Sequence, residues 1–206
     1  MRRPLRPRRN DHDGARPVPL ALVARAQAAG VPVARTYGLT EACSQVTTDG
    51  PPLFCTKVEL GEDGEILVGG PTVASASLAA DARLHTGDLG SFDAEGFLQV
   101  TGRKADTIIT GGENVAPSEI EEVLEGFPGV LEAAVLGRED PQWGEAIVAI
   151  VVGAPGASVG EGALREHCAA RLAPYKVPKR VLLVSGPLPR TRSGKLLRRE
   201  LQGIAI

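Results

Sequence analysis

The sequence of 206 residues contains no apolar run long enough to cross a membrane. A transmembrane helix needs roughly 20 consecutive, mainly apolar residues. The Arg-rich start also lacks the apolar core of a secretory signal, so none is predicted. The apolar content of 43% is that of an ordinary globular protein, and the length suits one medium domain or two small ones.

Cysteine is scarce as well, with only Cys43, Cys55 and Cys168 in the whole sequence. Their number is odd, they are widely spaced, and no C-x-x-C pair occurs, which argues against a zinc site or a disulfide framework. Reduced cysteines are typical of the cytoplasm, which is the predicted location.

The sequence also lacks the positive charge of most nucleic-acid-binding proteins, because its formal net charge is −2. Five of its arginines fall within residues 1–14, a stretch with few apolar residues that is predicted to be a disordered basic tail. The remaining residues carry 18 basic and 23 acidic side chains. This acidic body argues against nucleic acid as a partner, although a nucleic-acid arm at the tail stays open as an alternative.

The first half of the sequence predicts a helix, two strand regions and a hairpin. Helical spacing ending at Gly30 indicates a helix over residues 17–30, and residues 31–42 begin as a short buried strand. A further strand is predicted over residues 65–71, and the polar turn within residues 84–103 predicts a β-hairpin. These elements are too few for us to expect an enclosed core.

After Arg103 the pattern becomes that of a compact α+β domain. The predicted strands cover residues 106–112, 131–138, 145–153 and 180–186, and the predicted helices open at Pro117 and cover residues 162–172. The order β-α-β-β-α-β predicts a small domain that begins near residue 104.

Two motifs in the first half carry side chains suited to a nucleotide. In TYGLTEA, Tyr37 offers a stacking face, Thr40 a hydroxyl and Glu41 a carboxylate, which are groups that a nucleotide and magnesium require. In HTGDLG, Asp88 lies at a glycine-flanked strand end, where a carboxylate can accept hydrogen bonds from both hydroxyls of a ribose. Each motif alone could equally be a plain turn.

Two further motifs lie at and beyond the predicted domain boundary. TGRKADTIITGG places Arg103 before a glycine turn at Gly111 and Gly112. PRTRSGK places Lys195 behind a glycine and among arginines, which indicates either a solvated basic helix end or a lysine delivered to a phosphate. The spacing of a P-loop, G-x-x-x-x-G-K, is absent.

The order and spacing of these motifs resemble the C-terminal part of the adenylate-forming (AMP-binding) superfamily, which includes acyl-CoA synthetases, luciferases and peptide-synthetase adenylation domains. The resemblance covers nearly the whole chain from about residue 17. It rests on YGLTE, HTGD, GRKADTIITGGENVAPSEIE, VLGREDPQWGEAIVAIVV, LAPYKVPK and PRTRSGKLLRREL. Within the superfamily, TYGLTEACSQVTT and GEILVGGPTV most resemble the o-succinylbenzoate–CoA ligases of menaquinone biosynthesis.

The resemblance implies an α+β fold in two parts. Residues 15–103 would be a remnant of the large adenylate-forming domain, from its β-rich subdomain, and residues 104–206 the small C-terminal lid domain. The implied reaction joins a small carboxylic acid to the α-phosphate of ATP, giving acyl-AMP and pyrophosphate. The thiol of coenzyme A then attacks the acyl-adenylate, and the small domain turns between the two steps.

Site residues also follow from the resemblance, position by position. Tyr37 would line the adenine pocket, Thr40 would bind the α-phosphate and Glu41 would hold Mg²⁺. Asp88 would bind the ribose hydroxyls, and Arg103 would support the ribose and phosphate.

The resemblance also implies roles for Lys195 and for the glycine turn at Gly111 and Gly112. Lys195 would bridge the acid and the α-phosphate, where a fixed cation stabilises the crowded charge of the transition state. Gly111 and Gly112 would let the CoA arm pass close to the backbone.

The sequence departs from the family pattern in two places. The hinge position, commonly Asp or Lys, is Ala105 here. The phosphate-gripping loop that precedes YGLTE in the family is absent from residues 1–36. We therefore expect a remnant, an out-of-frame start, or one half of a split ligase whose other half is a separate chain. The alternative is a non-catalytic module that binds nucleotide, CoA or a partner protein.

Overall fold

The computed structural model describes residues 20–49, 51–191 and 194–204. We refer to residues 20–103 as the N-terminal part and to residues 104–204 as the C-terminal part. The basic tail predicted over residues 1–14 lies outside the described residues.

Among its described residues, the N-terminal part contains one α-helix and two antiparallel sheets. Its elements are α1 (Leu20–Ala28), β1 (Thr36–Tyr37), β2 (Thr47–Thr48), β3 (Lys57–Leu60), β4 (Glu65–Gly69), β5 (Leu84–Phe92) and β6 (Leu98–Arg103). β1 pairs with β2, and β3 to β6 form a four-stranded sheet in sequence order. The predicted helix is confirmed where it is described, and so are the strand at residues 65–71 and the hairpin.

The strand predicted to begin at residue 31 was wrong in its position. Regular structure starts only at Thr36, and most of residues 31–35 are exposed. Pro32 has no amide hydrogen to donate to a ladder, and the amide of Arg35 donates to Asp49 Oδ1 at 2.6 Å instead of to a strand. Alternating apolar residues form a strand only where a neighbouring strand is available to pair with them.

The N-terminal part also encloses a small core that the sequence did not predict. Six apolar side chains are buried in it: Ala42, Val46, Ile66, Val68, Val73 and Leu84. Because β4 contributes two of them and the loop after β1 another two, this core lies directly beneath the TYGLTEA loop.

The C-terminal part is the predicted α+β domain, built around one five-stranded sheet. Its elements are β7 (Ile108–Thr110), β8 (Glu113–Val115), α2 (Pro117–Glu125), β9 (Val130–Asp140), β10 (Gly144–Gly153), α3 (Glu161–Ala169), β11 (Arg180–Val184) and α4 (Arg198–Leu201). β10 is central: it pairs antiparallel with β9, parallel with β11 and, at Gly144, with Thr110 of β7. The predicted β-α-β-β-α-β order is present, with two elements that the sequence did not predict: β8 after the glycine turn and α4 after β11.

Both faces of this sheet are covered. Successive residues of a strand point to opposite faces, so Val135 packs with α2 and α3 while Leu136 faces the other side. On that second face, Leu188 and Leu201 of the C-terminal segment cover the strands. The segment that carries Lys195 is therefore part of the domain core.

A 3-10 helix, Lys104–Asp106, joins the two parts. Ser118 Oγ donates to Thr101 O across the junction at 2.6 Å, and Arg198 Nε donates to Asp106 Oδ2 at 3.2 Å. No helix among the described residues has the length and apolar character needed to span a membrane.

Candidate nucleotide-binding site

The clearest cluster of predicted site residues joins Tyr37, Asp88 and Arg103. The Tyr37 hydroxyl donates to Asp88 Oδ2 at 2.9 Å, and Arg103 Nε lies 3.0 Å from Asp88 Oδ1. The Asp88 side chain is 13% exposed and the Arg103 side chain 58%. A nearly buried carboxylate is thus held on both oxygens beside a cation that still reaches solvent.

Local sequence explains how the three residues meet. Asp88 and Arg103 are opposite each other in the ladder of β5 and β6, and directly opposite residues place their side chains on one face. Tyr37 reaches them from β1. The amide of Asp88 donates to Thr86 Oγ1 at 3.1 Å, which fixes the backbone here. The sequence predicted Asp88 at a strand end, and this was wrong: Asp88 lies in the middle of β5, because Gly87, with φ of +70°, makes the strand irregular without ending it.

Burial raises the pKa of Tyr37 well above its ordinary value of 10. The neighbouring Asp88 charge acts in the same direction, whereas the hydrogen bond with Thr86 and the charge of Arg103 oppose the shift. The phenol therefore stays a neutral donor to Asp88 throughout the physiological pH range.

The TYGLTEA loop has an unusual backbone that its sequence permits. A Cβ atom at Gly38 would lie 1.4 Å from Ser44 O, so only glycine allows the two backbone segments to approach. Cys43 and Ser44 have φ of 55° and 85°, in the left-handed region that non-glycine residues seldom adopt. Such strain is often found at ligand sites.

Thr40 and Glu41 lie on the 3-10 helix Thr40–Ala42 within this loop, and both are exposed. The carbonyl of Glu41 accepts a hydrogen bond from the amide of Ala74 at 2.8 Å, which anchors the turn to the N-terminal part. A hydroxyl and a carboxylate are therefore presented to solvent side by side. No group of three or more acidic, His or Cys side chains that could enclose a metal occurs in the described part of the chain.

The two predicted glycines form the tight turn between β7 and β8. Gly111 and Gly112 have φ of +60° and +86°, a region that favours glycine. The amide of Gly111 donates to Trp143 O at 2.8 Å, and a Cβ at Gly111 would lie 3.1 Å from the Trp143 ring. Nothing lies within 4 Å of a Cβ built at Gly112, so that residue borders open space.

Lys195 lies on a short hairpin-like turn and its side chain is exposed. Its amide donates to Thr191 Oγ1 at 3.0 Å, its carbonyl accepts from the amide of Thr191 at 2.8 Å, and Gly194 has φ of +83°. Arg190, which is bonded to Glu132 at 3.0 Å, holds the base of the turn. The backbone of Lys195 is fixed while its ammonium remains in solvent.

The structure thus brings together Tyr37, Asp88 and Arg103, with Thr40 and Glu41 on the adjoining loop. Within the described residues, no hydrogen bond or ion pair joins this group to Lys195 or to the Gly111–Gly112 turn. The predicted site therefore falls into two sets, one in each part of the chain.

Sequence reasoning missed two residues next to this cluster. Glu65 is a buried carboxylate that accepts from the amide of Gly87 at 3.0 Å. Lys104 lies 3.4 Å from Glu65 Oε2 and forms an ion pair with Asp63, which raises the pKa of Lys104 and lowers that of Asp63. The only signal in the sequence was a charged residue at the start of an otherwise apolar strand.

Comparison with known proteins is consistent with this arrangement. Residues 119–195 match the family described as AMP-binding enzyme C-terminal domain. The chain is 42% identical to the 2-succinylbenzoate–CoA ligase of Bacillus cytotoxicus over an alignment of 219 positions, gaps included, that covers 92% of this chain and 45% of that protein. The Bacillus subtilis protein of the same name is 39% identical and is covered to 44%.

Solved structures give the same picture. The o-succinylbenzoate CoA synthetase of Bacillus subtilis, in complex with the acyl-adenylate intermediate OSB-AMP, matches with a TM-score of 0.84 and 38% identity. The match covers 93% of this chain and 45% of that one. The same enzyme in complex with ATP and magnesium ion matches with a TM-score of 0.80 over 90% of this chain and 44% of that one, at 38% identity. The chain spans less than half the length of the relatives it matches.

Proposed function

Because the chain belongs to the adenylate-forming (AMP-binding) family and corresponds to its C-terminal part, we propose that it contributes the ribose site and the lid domain of an ATP-dependent acid–CoA ligase. The proposed acid is o-succinylbenzoate, as the names of its relatives suggest. The observation that carries the proposal is the carboxylate of Asp88, held between Tyr37 and Arg103.

This carboxylate suits a ribose. Asp88 Oδ2 accepts a hydrogen bond from Tyr37, Oδ1 is ion-paired with Arg103, and both oxygens keep lone-pair capacity for a further donor. Two vicinal hydroxyls can donate to those two oxygens together. The Nη groups of Arg103 donate to no acceptor within the described residues, so they are available to a phosphate.

Thr40 and Glu41 would act at the phosphates. The Thr40 hydroxyl can donate to an oxygen of the α-phosphate, and Tyr37 would border the adenine. Glu41 supplies one carboxylate, which fits Mg²⁺ because this ion is usually held by one or two carboxylates together with phosphates and water. When bound, Mg²⁺ neutralises phosphate charge.

Lys195 would act on the adenylation step. Attack of a carboxylate on the α-phosphate brings two anions together, and a fixed ammonium stabilises the developing charge. The side chain is exposed on an anchored turn, so it can enter a site that another orientation of the C-terminal part presents.

Gly111 and Gly112 would serve the second step. The open space beside Gly112 leaves room for the pantetheine arm of coenzyme A to lie against the backbone. The division of the site into two sets, one in each part, suits a reaction with two half-steps.

The proposed activity also needs groups that these residues do not include. The relatives are about twice as long as the matched region, and no phosphate-gripping loop precedes Tyr37 in residues 1–36. We propose that a further polypeptide segment, on the same or a separate chain, supplies it. The described cysteines are all free, which supports a cytoplasmic location.

The test has two stages. First, calorimetric titration with AMP measures binding to the chain itself, with Asp88→Asn as the variant and Asp93→Asn as the control in the same hairpin. Second, the chain is mixed with the segment of the Bacillus subtilis enzyme that it does not span. We then expect pyrophosphate exchange that depends on o-succinylbenzoate, followed by thioester formation with CoA.

The outcomes separate the candidate functions. Binding of AMP without acid-dependent exchange in the mixture would favour the non-catalytic binding module. Absence of AMP binding, in the chain and in the mixture alike, would contradict the proposal.

A further inference from the structure

Glu65 has no role in the proposed chemistry, yet it lies between the nucleotide cluster and the junction of the two parts. Its side chain is 11% exposed, and the three residues that follow it in β4 are buried and apolar. A buried carboxylate is costly unless it is paired and hydrogen-bonded. Its partners therefore indicate what it does.

One carboxylate oxygen of Glu65 holds the backbone that presents Asp88. Oε1 accepts a hydrogen bond from the amide of Gly87 at 3.0 Å, and Gly87 has φ of +70°. On either side of that amide, Thr86 Oγ1 donates to Ile66 O at 2.7 Å and accepts from the amide of Asp88 at 3.1 Å. The irregular stretch of β5 before Asp88 is thus fixed from the start of β4.

The other oxygen faces the junction and His85. Lys104 Nζ lies 3.4 Å and His85 Nδ1 3.6 Å from Glu65 Oε2, and Lys104 is the first residue of the 3-10 helix that joins the two parts. The residue before it, Arg103, is bonded to Asp88. Two consecutive cations therefore tie the start of the junction to two neighbouring carboxylates.

Building on the proposed function, we propose that Glu65 is a positioning residue. One of its oxygens fixes the backbone that presents Asp88 to the ribose, and the other holds Lys104 at the junction. Nucleotide affinity and the order of the junction are then linked through one side chain, and such a linkage acts equally in both directions.

Four variants separate the two contacts. Glu65→Gln keeps an oxygen that can accept from Gly87 but loses the charge that faces Lys104, and Glu65→Ala loses both. Lys104→Met removes the ammonium, and with it the ion pair with Asp63 as well as the contact with Glu65, and leaves the Gly87 contact in place. Glu59→Gln is the matched control, because Glu59 is an exposed glutamate on β3 of the same sheet, paired with Arg83 at 2.9 Å.

Amide hydrogen exchange of the full chain, measured by NMR, reports each contact without any ligand. In Glu65→Ala we expect the Gly87 amide to exchange about tenfold faster, because its acceptor is gone. In Glu65→Gln and Lys104→Met we expect the Gly87 amide to be unchanged and the Thr107 amide, which donates to Lys104 O at 3.3 Å, to exchange about threefold faster. Fast exchange at the buried strand amides of Ile66 and Val68 would show that a variant has unfolded. If Glu65→Ala unfolds, the proposal is judged on the exchange pattern of Glu65→Gln.

Calorimetry with AMP reports the link to the nucleotide. We expect the Kd for AMP to rise about tenfold in Glu65→Ala and about threefold in Glu65→Gln, with no change in Glu59→Gln. The proposal is overturned if Glu65→Ala behaves as Glu59→Gln does, or if Glu65→Gln frees the Gly87 amide as fully as Glu65→Ala. Failure of the unchanged chain to bind AMP would overturn the proposed nucleotide site, and the exchange pattern would still decide whether Glu65 holds the two backbone segments.

Discussion

The two parts of the molecule hold their functional groups in opposite ways. In the N-terminal part, a small core supports a cluster in which Tyr37, Asp88 and Arg103 bind one another directly. In the C-terminal part, a sheet buried on both faces supports Lys195, which extends into solvent from a turn. Under the proposed function, the difference teaches that a ribose site needs side chains that converge, whereas a lysine that acts from solvent needs only a rigid base.

The largest expected effect concerns the two cores. Ile66 and Ile150 are both fully buried, one in each part. We expect Ile66→Ala and Ile150→Ala each to lower the free energy of unfolding by about 2–5 kcal/mol, through lost burial and the cavity left behind. Urea unfolding followed by hydrogen exchange shows which part is affected, and Leu183→Ala, at a half-exposed position of β11, is the control.

If the two parts are independent domains, divided near residue 104 as the sequence predicts, each substitution will weaken only its own part. If either substitution lowers the stability of both parts equally, the chain unfolds as one cooperative unit, and the two parts are not separate domains.

The second prediction concerns the exposed lysine. With the remaining segment supplied, we expect Lys195→Ala to slow adenylate formation about 100- to 1,000-fold, as for other preorganised charges at a transition state. Thioester formation from preformed acyl-adenylate should change little. Arg199→Ala, at an exposed cation of the same segment, is the control.

Gly112→Trp tests the other half-step, since an indole would fill the open space that we assign to CoA. We expect slow thioester formation with normal adenylation. Gly112→Ala carries the same backbone strain without the bulk and separates the two effects.

The lysine variant has its own contradicting outcome. Equal losses in both half-reactions for Lys195→Ala would favour the interpretation of Lys195 as a solvated charge.

The third prediction concerns Asp88. Asp88→Asn removes the charge from a group that would accept two ribose hydrogen bonds and leaves Arg103 without its ion pair. We expect the Kd for AMP to rise about 10- to 100-fold, since a hydrogen bond to a charged group contributes roughly 1.5–3 kcal/mol. Calorimetry measures the change, with Asp93→Asn as the reference, and an unchanged Kd would place the nucleotide elsewhere.

The smallest effect is expected from the pH dependence of Tyr37. Burial raises the pKa of the folded phenol above the ordinary value of 10, so above pH 10 the unfolded chain releases this proton before the folded one. Its contribution to stability is therefore complete below pH 10 and falls as the pH rises, by at most about 1.4 kcal/mol per pH unit.

Urea unfolding at several alkaline pH values tests this directly. We expect the decline to be shallower in Tyr37→Phe, which cannot titrate. Identical slopes for the two proteins would show that the phenol is not shielded as the structure indicates.

Local chemistry made much of the fold predictable. The hairpin at residues 84–103 was visible because Asp93 Oδ1 accepts from the amides of Glu95 and Phe97, contacts made within four residues. The helix that begins at Pro117 was predictable for the same reason, because its start signals, a proline and an acidic first turn, lie within a few residues. The failed strand at residue 31 shows the limit, because strand formation depends on a partner that the pattern does not name.

The candidate site was predictable only in its parts. Motifs indicated Tyr37 and Asp88 separately, 51 residues apart. Their contact depends on how β1 meets the four-stranded sheet. The pairing of Glu65 with Lys104 spans 39 residues and carries no spacing rule. Whether the Gly111–Gly112 turn and Lys195 act at this site stays a prediction.

The C-terminal segment over the second sheet face has a consequence for biosynthesis. A ribosome makes β9 and β10 well before residues 187–204, and domains begin to fold while synthesis continues. Until Leu188 and Leu201 arrive, the side chains of Leu136 and Ile150 have no cover. The nascent chain therefore passes through a stage with an exposed apolar sheet, during which chaperones would bind it and stalled or shortened products would aggregate.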